Sequence, residues 1–98
     1  MFDKMKAFMD MQKKMQELKR ELENNVFDAV SSDGIVKVTM NGAQEVKEIK
    51  IQKELSDMDK ASLEKAVKDA YNKALKRSHE LASQKMREIT GFNLPGVT

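Results

Sequence analysis

The sequence predicts an α/β (α+β) protein: a long N-terminal helix, a three-stranded antiparallel sheet and a long C-terminal helix, in that order. Apolar residues recur at helical spacing over residues 1–24, apolar and polar residues alternate within 26–51, and a second helical pattern fills 57–90. Residues 91–98 contain Pro95 and are expected to form a non-helical tail. The whole chain, residues 1–98, is predicted to be a single domain.

The first helix is predicted from an a/d heptad seam. Phe8, Met11, Met15, Leu18 and Leu22 are separated by steps of 3, 4, 3 and 4 residues, and good helix formers fill the positions between them. A helix of this length extends for about 36 Å, which is more than a small sheet can cover. Part of the seam is therefore expected to meet another helix.

The sheet is predicted from a stretch of eighteen residues, 34–51. Three apolar residues alternate with polar ones and run into Asn41-Gly42, a strong hairpin signal because both residues tolerate positive φ. In the returning strand the alternation slips by one residue, which a longer loop or a β-bulge would repair. Val26 to Val30 is interpreted as a first strand. The residues predicted to pack in this sheet are Val36, Val38, Met40, Ile49 and Ile51.

The C-terminal helix is predicted to start behind a cap at Ser56 or Asp59 and to end at Gly91. One face carries small residues at every fourth position. Small side chains let another backbone approach closely, so this face is expected to be packed, with Ala70 and Ala74 at its centre. The row consists of Ala66, Ala70, Ala74, Ser78 and Ala82.

Length and composition limit the class of protein. A chain of 98 residues forms one small domain, and its long apolar seam predicts that it completes its core as a homodimer. The absence of cysteine excludes disulfides and thiolate metal sites. No apolar run approaches the length of a membrane span, and no signal-peptide core is visible, so a cytoplasmic protein without membrane association is expected.

The sequence offers little catalytic chemistry. His79 is the only histidine, and Ser78, His79 and Glu80 are consecutive on a helix, so they point in different directions and cannot form a triad. There is no glycine-rich phosphate loop of the P-loop or Rossmann type. We therefore predict a protein that is not an enzyme and has no cofactor, metal site or small-molecule substrate.

Positive charge is concentrated in the second helix. Residues 73–87 hold five bases and one acid, a local charge of +4 in a chain whose net charge is only +2. The first helix has two basic pairs with acids among them. Ordinary solvated helix faces are the simpler interpretation of these charges alone. No aromatic residue is interleaved with the bases, so contact with a duplex backbone is favoured over base stacking.

Several motifs, in order, resemble the YbaB/EbfC family of bacterial nucleoid-associated proteins. The motifs are Gly34-Ile35-Val36-Lys37-Val38 running into Asn41-Gly42, then Ile49-Lys50-Ile51, Ala70-Tyr71-Asn72-Lys73-Ala74 and the segment from Gly91 to Gly96. The resemblance covers nearly the whole chain. This chain departs from the family pattern at Ser31-Ser32-Asp33-Gly34, where a glycine-rich turn is usual.

The resemblance implies a tweezer-like homodimer of the nucleoid whose helical arms bind double-stranded DNA with little sequence preference. For the basic residues, the resemblance favours phosphate contacts over ordinary solvated helix faces. The candidate DNA-binding residues are Lys13, Lys14, Lys19, Arg20, Lys73, Lys76, Arg77, Lys85 and Arg87.

An alternative from another class is a prefoldin-like protein-binding or assembly factor that uses the Met-rich seam for its clients. Such a protein needs its two helices to pair as antiparallel heptads along their length. The small-residue row of the second helix lacks the matching a/d pattern, which favours the DNA-binding hypothesis.

Overall fold

A computed structural model describes residues 2–91 of the chain. The fold class agrees with the prediction: a long helix, a three-stranded antiparallel sheet and a second long helix. A short 3-10 helix precedes the second long helix. In chain order the elements are α1 (Phe2–Asn24), β1 (Val26–Val30), β2 (Val36–Asn41), β3 (Val46–Ile51), the 3-10 helix (Leu55–Asp57) and α2 (Lys60–Thr90).

Helix α2 begins three residues later than the predicted 57–90. The cap is Asp59, whose carboxylate accepts a hydrogen bond from the Ser62 backbone N–H at 2.7 Å. Ser56 lies instead in the 3-10 helix, and Met58 is extended, so α2 cannot start before Asp59. At the other end Gly91 adopts φ 69° and donates its N–H to the Arg87 carbonyl, as expected of a glycine after a helix. The rest of the predicted tail, residues 92–98, lies outside the described residues.

The hairpin between β2 and β3 combines a longer loop with a β-bulge. Thr39 pairs with Glu48 but Met40 pairs with Val46, so one extra residue of β3 restores the alternation of apolar side chains. The positive φ of the turn belongs to Gln44, at 65°, and neither Asn41 nor Gly42 adopts it. The hairpin therefore forms at Asn41-Gly42 as expected, but not through positive φ at these two residues, and Gly42 is needed for another reason.

The core lies between α2 and the first two strands. The alternating residues of β2, namely Val36, Val38 and Met40, are fully buried, and they face the small-residue row of α2. Ala70 and Ala74 are also fully buried, so the helix backbone approaches the sheet closely. All six residues of β3 remain exposed, because α2 lies over β1 and β2 and leaves the third strand uncovered.

Within residues 2–91, helix α1 packs on the other elements only near its C-terminal end. Leu18 is buried, and Lys85 of α2 lies 4.0 Å from the carboxylate of Glu21. Residues 3–17 are all exposed, including most of the predicted seam, so another helix covers only its last turns. The molecule is correspondingly long, 67 × 24 × 16 Å.

The two helices and the hairpin meet at Asn41 and Gly42. The fully buried Asn41 amide donates to the Glu23 carbonyl of α1 at 3.1 Å and to the Glu45 carboxylate at 2.7 Å. The backbone carbonyl oxygen of Asn41 accepts a hydrogen bond from the Ser78 hydroxyl of α2 at 3.0 Å. The Gly42 N–H donates to the Leu22 carbonyl at 2.9 Å. One corner of the sheet is thus bonded to both helices.

Gly42 leaves no room for a side chain. A Cβ at this position would lie 2.8 Å from Leu22 Cδ2, 3.0 Å from Leu81 Cδ2 and 3.2 Å from Leu22 Cα. We expect Gly42→Ala to push α1 away from the hairpin and to lower the free energy of unfolding by about 1–3 kcal/mol, the usual cost of overpacking. Urea unfolding followed by circular dichroism measures this loss.

Leu22→Ala provides the control for Gly42→Ala. It removes the side chain that the new methyl group meets, so the double variant should lose less stability than the two single losses added together. Additive losses would show that the close approach of Leu22 does not determine the choice of glycine.

Candidate functional site

The five basic residues predicted on α2 divide into two groups according to their contacts. Lys73 and Lys85 form ion pairs with acidic side chains of the protein itself. Lys76 and Arg87 have no ion pair within residues 2–91, and Arg77 contacts an aromatic ring. Of the bases that make up the local charge of +4, those without an acidic partner are more available to a ligand than the ion-paired ones.

Lys73 is held by the turn between β1 and β2. Its ammonium group lies 3.2 Å from the Asp69 carboxylate and donates to the Ser32 hydroxyl at 2.7 Å. Lys85 lies 3.5 Å from Glu88 as well as 4.0 Å from Glu21, and its side chain is mostly covered. Both lysines join elements of the fold, which makes them weaker candidates for DNA contact than their neighbours.

Lys76 and Arg87 lie eleven residues apart, or about three turns, so they share one face of α2 and are separated by about 16 Å along its axis. Lys65 lies another eleven residues before Lys76, on the same face. We call these three residues the α2 basic row. Sequence reasoning missed Lys65 because it compared charge counts between segments, whereas the eleven-residue spacing was visible in the sequence.

The candidate residues of α1 are exposed on its projecting part. Lys19 is 3.9 Å from Glu23, one turn away, whereas Lys13, Lys14 and Arg20 have no ion pair within residues 2–91. Asp10 and Glu17 lie on neighbouring turns, so α1 offers a mixed surface.

The turn that departs from the family pattern is held by side-chain hydrogen bonds. The Ser31 hydroxyl donates to the Asp33 carboxylate at 2.6 Å, and the Ile35 N–H donates to the same oxygen at 3.0 Å. Gly34 has φ 76°, which a glycine adopts without strain. The Ser31 bond, with the Ile35 bond second, lowers the pKa of Asp33 below its usual value.

Asp69 fastens this turn to α2. Its carboxylate accepts a hydrogen bond from the Ser32 backbone N–H at 2.7 Å. That bond, followed by the hydrogen bond from Lys73, lowers the pKa of Asp69. A groove of about 630 Å³ lies beside the contact, lined by Ser32, Asp33, Ser62, Lys65, Ala66, Lys68, Asp69 and Asn72. The lining contains as many lysines as aspartates, so its charge favours neither an anionic nor a cationic ligand.

Large apolar side chains are exposed on two surfaces. On β3, Val46, Ile49 and Ile51 are 41%, 51% and 42% exposed, although they pair with buried β2 residues and so lie on the core side of the sheet. On α1, Met5 and Phe8 are 67% and 65% exposed. Of the residues predicted to pack in the sheet, Ile49 and Ile51 are thus open in the single chain.

The prefoldin-like alternative required the two helices to pair along their length. The small-residue row of α2 packs on the sheet instead, and α1 meets α2 only near Leu18 and Leu22. This arrangement does not form the long antiparallel coil that such a chaperone arm needs.

Two kinds of feature are absent from the part of the chain that the structure describes. Residues 2–91 contain no group of three or more histidine, cysteine, aspartate or glutamate side chains placed to hold a metal ion. Within the same range, neither helix combines the length and apolar character that crossing a membrane requires.

Comparisons with known proteins agree on one family and one fold. A model of the YbaB/EbfC DNA-binding family matches residues 1–93. A nucleoid-associated protein of Clostridium acetobutylicum is 39% identical over 88 residues, which cover 88% of this chain and 79% of the relative. The crystal structure of an uncharacterized Helicobacter pylori protein superimposes with a TM-score of 0.78, at 23% identity, over 93% of this chain and 98% of that one. This last likeness concerns the fold alone.

The lowered pKa values predict how the protein responds to acid. A carboxylate whose folded pKa is depressed stabilises the fold above its unfolded pKa, about 3.9 for aspartate, and this contribution is lost as the pH falls through the folded value. We expect the stability to decline below about pH 4 as Asp33 and Asp69 take up protons. Asp69→Asn should lower the melting temperature at pH 7 and make the decline below pH 4 shallower.

Asp57→Asn is the matched control, since the Asp57 side chain has no hydrogen bond or ion pair within residues 2–91. Melting temperatures between pH 7 and pH 2.5 provide the comparison. Identical acid profiles for Asp69→Asn and the wild type would contradict the role of the Asp69 contact.

Proposed function

Because the chain belongs to the YbaB/EbfC DNA-binding family, we propose that it is a nucleoid-associated protein that binds duplex DNA as a homodimer, with little sequence preference and chiefly through phosphate contacts. The family match supports DNA as the ligand. The observation that supports the mode of binding is the α2 basic row, Lys65, Lys76 and Arg87, on one face of a long helix. The proposed location is the cytoplasm, at the bacterial nucleoid.

The dimensions of the α2 basic row suit a duplex. Its three cations span about 33 Å along the helix axis, close to the length of one turn of B-form DNA. Lysine and arginine side chains spaced along one face of a helix can reach phosphates at separated points of the same duplex. Such contacts carry no base information, so they support binding to unrelated sequences.

The homodimer is supported by the uncovered apolar side of β3. This strand is at the edge of the sheet, with no neighbouring strand on its outer side within residues 2–91, and its three apolar residues are about half exposed. Tyr71 on α2 is also exposed, by 39%. A second copy of the chain that covers β3 would complete the core and would present the basic rows of two α2 helices to one duplex.

We expect Ile49→Lys to convert the dimer into a monomer. A lysine in the middle of an apolar interface would have to be buried without a partner or would exclude the second copy. Analytical ultracentrifugation at micromolar concentration should show twice the mass of one chain for the wild type and a single chain mass for the variant.

The control is Glu48→Lys, which places a lysine on the opposite face of the same strand. This variant should remain a dimer. A monomeric wild type with a cooperative thermal transition would refute the proposed assembly.

Binding to DNA should weaken steeply as salt increases. Each phosphate neutralised in duplex DNA contributes about −0.9 to the slope of log affinity against log salt. The double substitution Lys76→Ala and Arg87→Ala should lower the affinity about equally for two unrelated duplexes and should make the slope shallower. Fluorescence anisotropy over a series of salt concentrations measures both quantities.

The matched control is Lys73→Ala with Lys85→Ala, which removes the same charge from the same helix but takes it from lysines that are already ion-paired. This control should reduce the salt slope less than the double substitution of Lys76 and Arg87 does. Equal reductions would show that DNA responds to the overall charge of α2 and not to the α2 basic row. No binding by the wild type at low salt would refute the proposed function itself.

A further inference from the structure

Arg77 differs from the other exposed bases of α2 because an aromatic ring lies against it. The carbon atom of its guanidinium group is 5.1 Å from the centre of the Phe27 ring. Phe27 belongs to β1 and is 9% exposed, within the same core as Val38 and Met40. The ring is held by the core, and a cation–π contact at this distance holds the guanidinium group in turn.

The donors of Arg77 remain available in this position. A guanidinium group stacks through its flat face, whereas its N–H groups point outwards in its plane. Arg77 makes no ion pair with an acid within residues 2–91. Its charge is thus fixed in place without being neutralised, unlike the charges of Lys73 and Lys85.

The groove beside Arg77 indicates what kind of anion the site fits. The groove has a volume of about 260 Å³ and also contains neutral amides, which can donate hydrogen bonds, and one carboxylate, Glu80. Glu80 opposes the binding of a small free anion. A phosphate that belongs to a duplex already attracted by neighbouring cations can still bind at the guanidinium edge. The groove is lined by Asn25, Val26, Phe27, Arg77, Glu80, Leu81 and Gln84.

We propose that Arg77, held over Phe27, is a preorganised phosphate site that fixes the position of the DNA backbone against α2. This inference rests on the proposed function. A flexible lysine loses side-chain freedom when it binds a phosphate, whereas an arginine already immobilised by a ring loses less. The geometry of the guanidinium group, and not only its charge, is therefore what position 77 contributes.

The first test separates geometry from charge. Arg77→Lys keeps the charge and loses most of the stacking, so we expect the affinity for duplex DNA to fall about two- to fivefold for each site, with an unchanged salt slope. Arg77→Ala should lower both the affinity and the slope. Lys76→Arg is the matched control, since it exchanges the same two residue types at the adjacent position, which has no cation–π contact within residues 2–91, and it should not lower the affinity.

The second test removes the ring. Phe27→Leu keeps an apolar side chain in the core but releases Arg77, so it should weaken binding in the same way as Arg77→Lys. The double variant should bind no more weakly than the poorer single variant, because both changes disrupt one contact. Val36→Ala, a core change at the far end of the sheet, controls for loss of stability, with all isotherms measured well below the melting temperatures.

The outcomes distinguish this inference from the proposed function. If the wild type binds with a steep salt slope and Arg77→Lys binds equally well, the preorganised site is refuted while phosphate binding stands. If the losses of binding free energy caused by Phe27→Leu and Arg77→Lys add fully in the double variant, the role of the ring is refuted. Absence of binding by the wild type would refute the proposed function, and this inference with it.

Discussion

The close contact at Asn41 and Gly42 determines how the two helices stand relative to the sheet. The buried Asn41 side chain and backbone bond to α1, to the hairpin and to α2, and every buried polar side-chain atom in residues 2–91 has a hydrogen-bond partner. Gly42 allows Leu22 and Leu81 to close over this junction. An unmade hydrogen bond here would leave a polar group buried without a partner, which costs about 1–3 kcal/mol. The directions of both helices are therefore fixed at one corner of the sheet.

Fixing the helices at one corner also explains what the single chain leaves uncovered. Helix α2 follows β2 closely because its buried residues are all small, and β1 completes the covered area. The third strand and residues 3–17 of α1 lie beyond that area, with apolar side chains exposed. Large exposed apolar patches are typical of interaction surfaces. The elongated chain thus leaves apolar surface open to a partner on β3 and along the projecting part of α1.

The fold could be predicted from the sequence because its signals are local. The alternation in β2, the cap at Asp59 and the glycine after Thr90 each depend on neighbouring residues, and each is present in the structure. The hairpin was less predictable. Asn41-Gly42 suggests a tight turn through its conformational freedom, but the structure uses Gly42 for space, a requirement set by Leu22 and Leu81 from distant parts of the chain.

The candidate site was only partly predictable, because a charge count does not reveal what each charge contacts. Lys73 and Lys76 look equivalent in the sequence, yet one bonds to Asp69 and to a turn some forty residues away. Phe27 is distant from Arg77 in the chain, and only the packing of β1 under α2 brings its ring within 5.1 Å. Residues of the same type therefore have different roles in the tertiary structure. Some bases form ion pairs that join elements of the fold, while others have no acidic partner within residues 2–91. Binding without base recognition needs only the second group. A helix can therefore use part of its positive charge for stability and still retain a row of basic residues that is open to solvent.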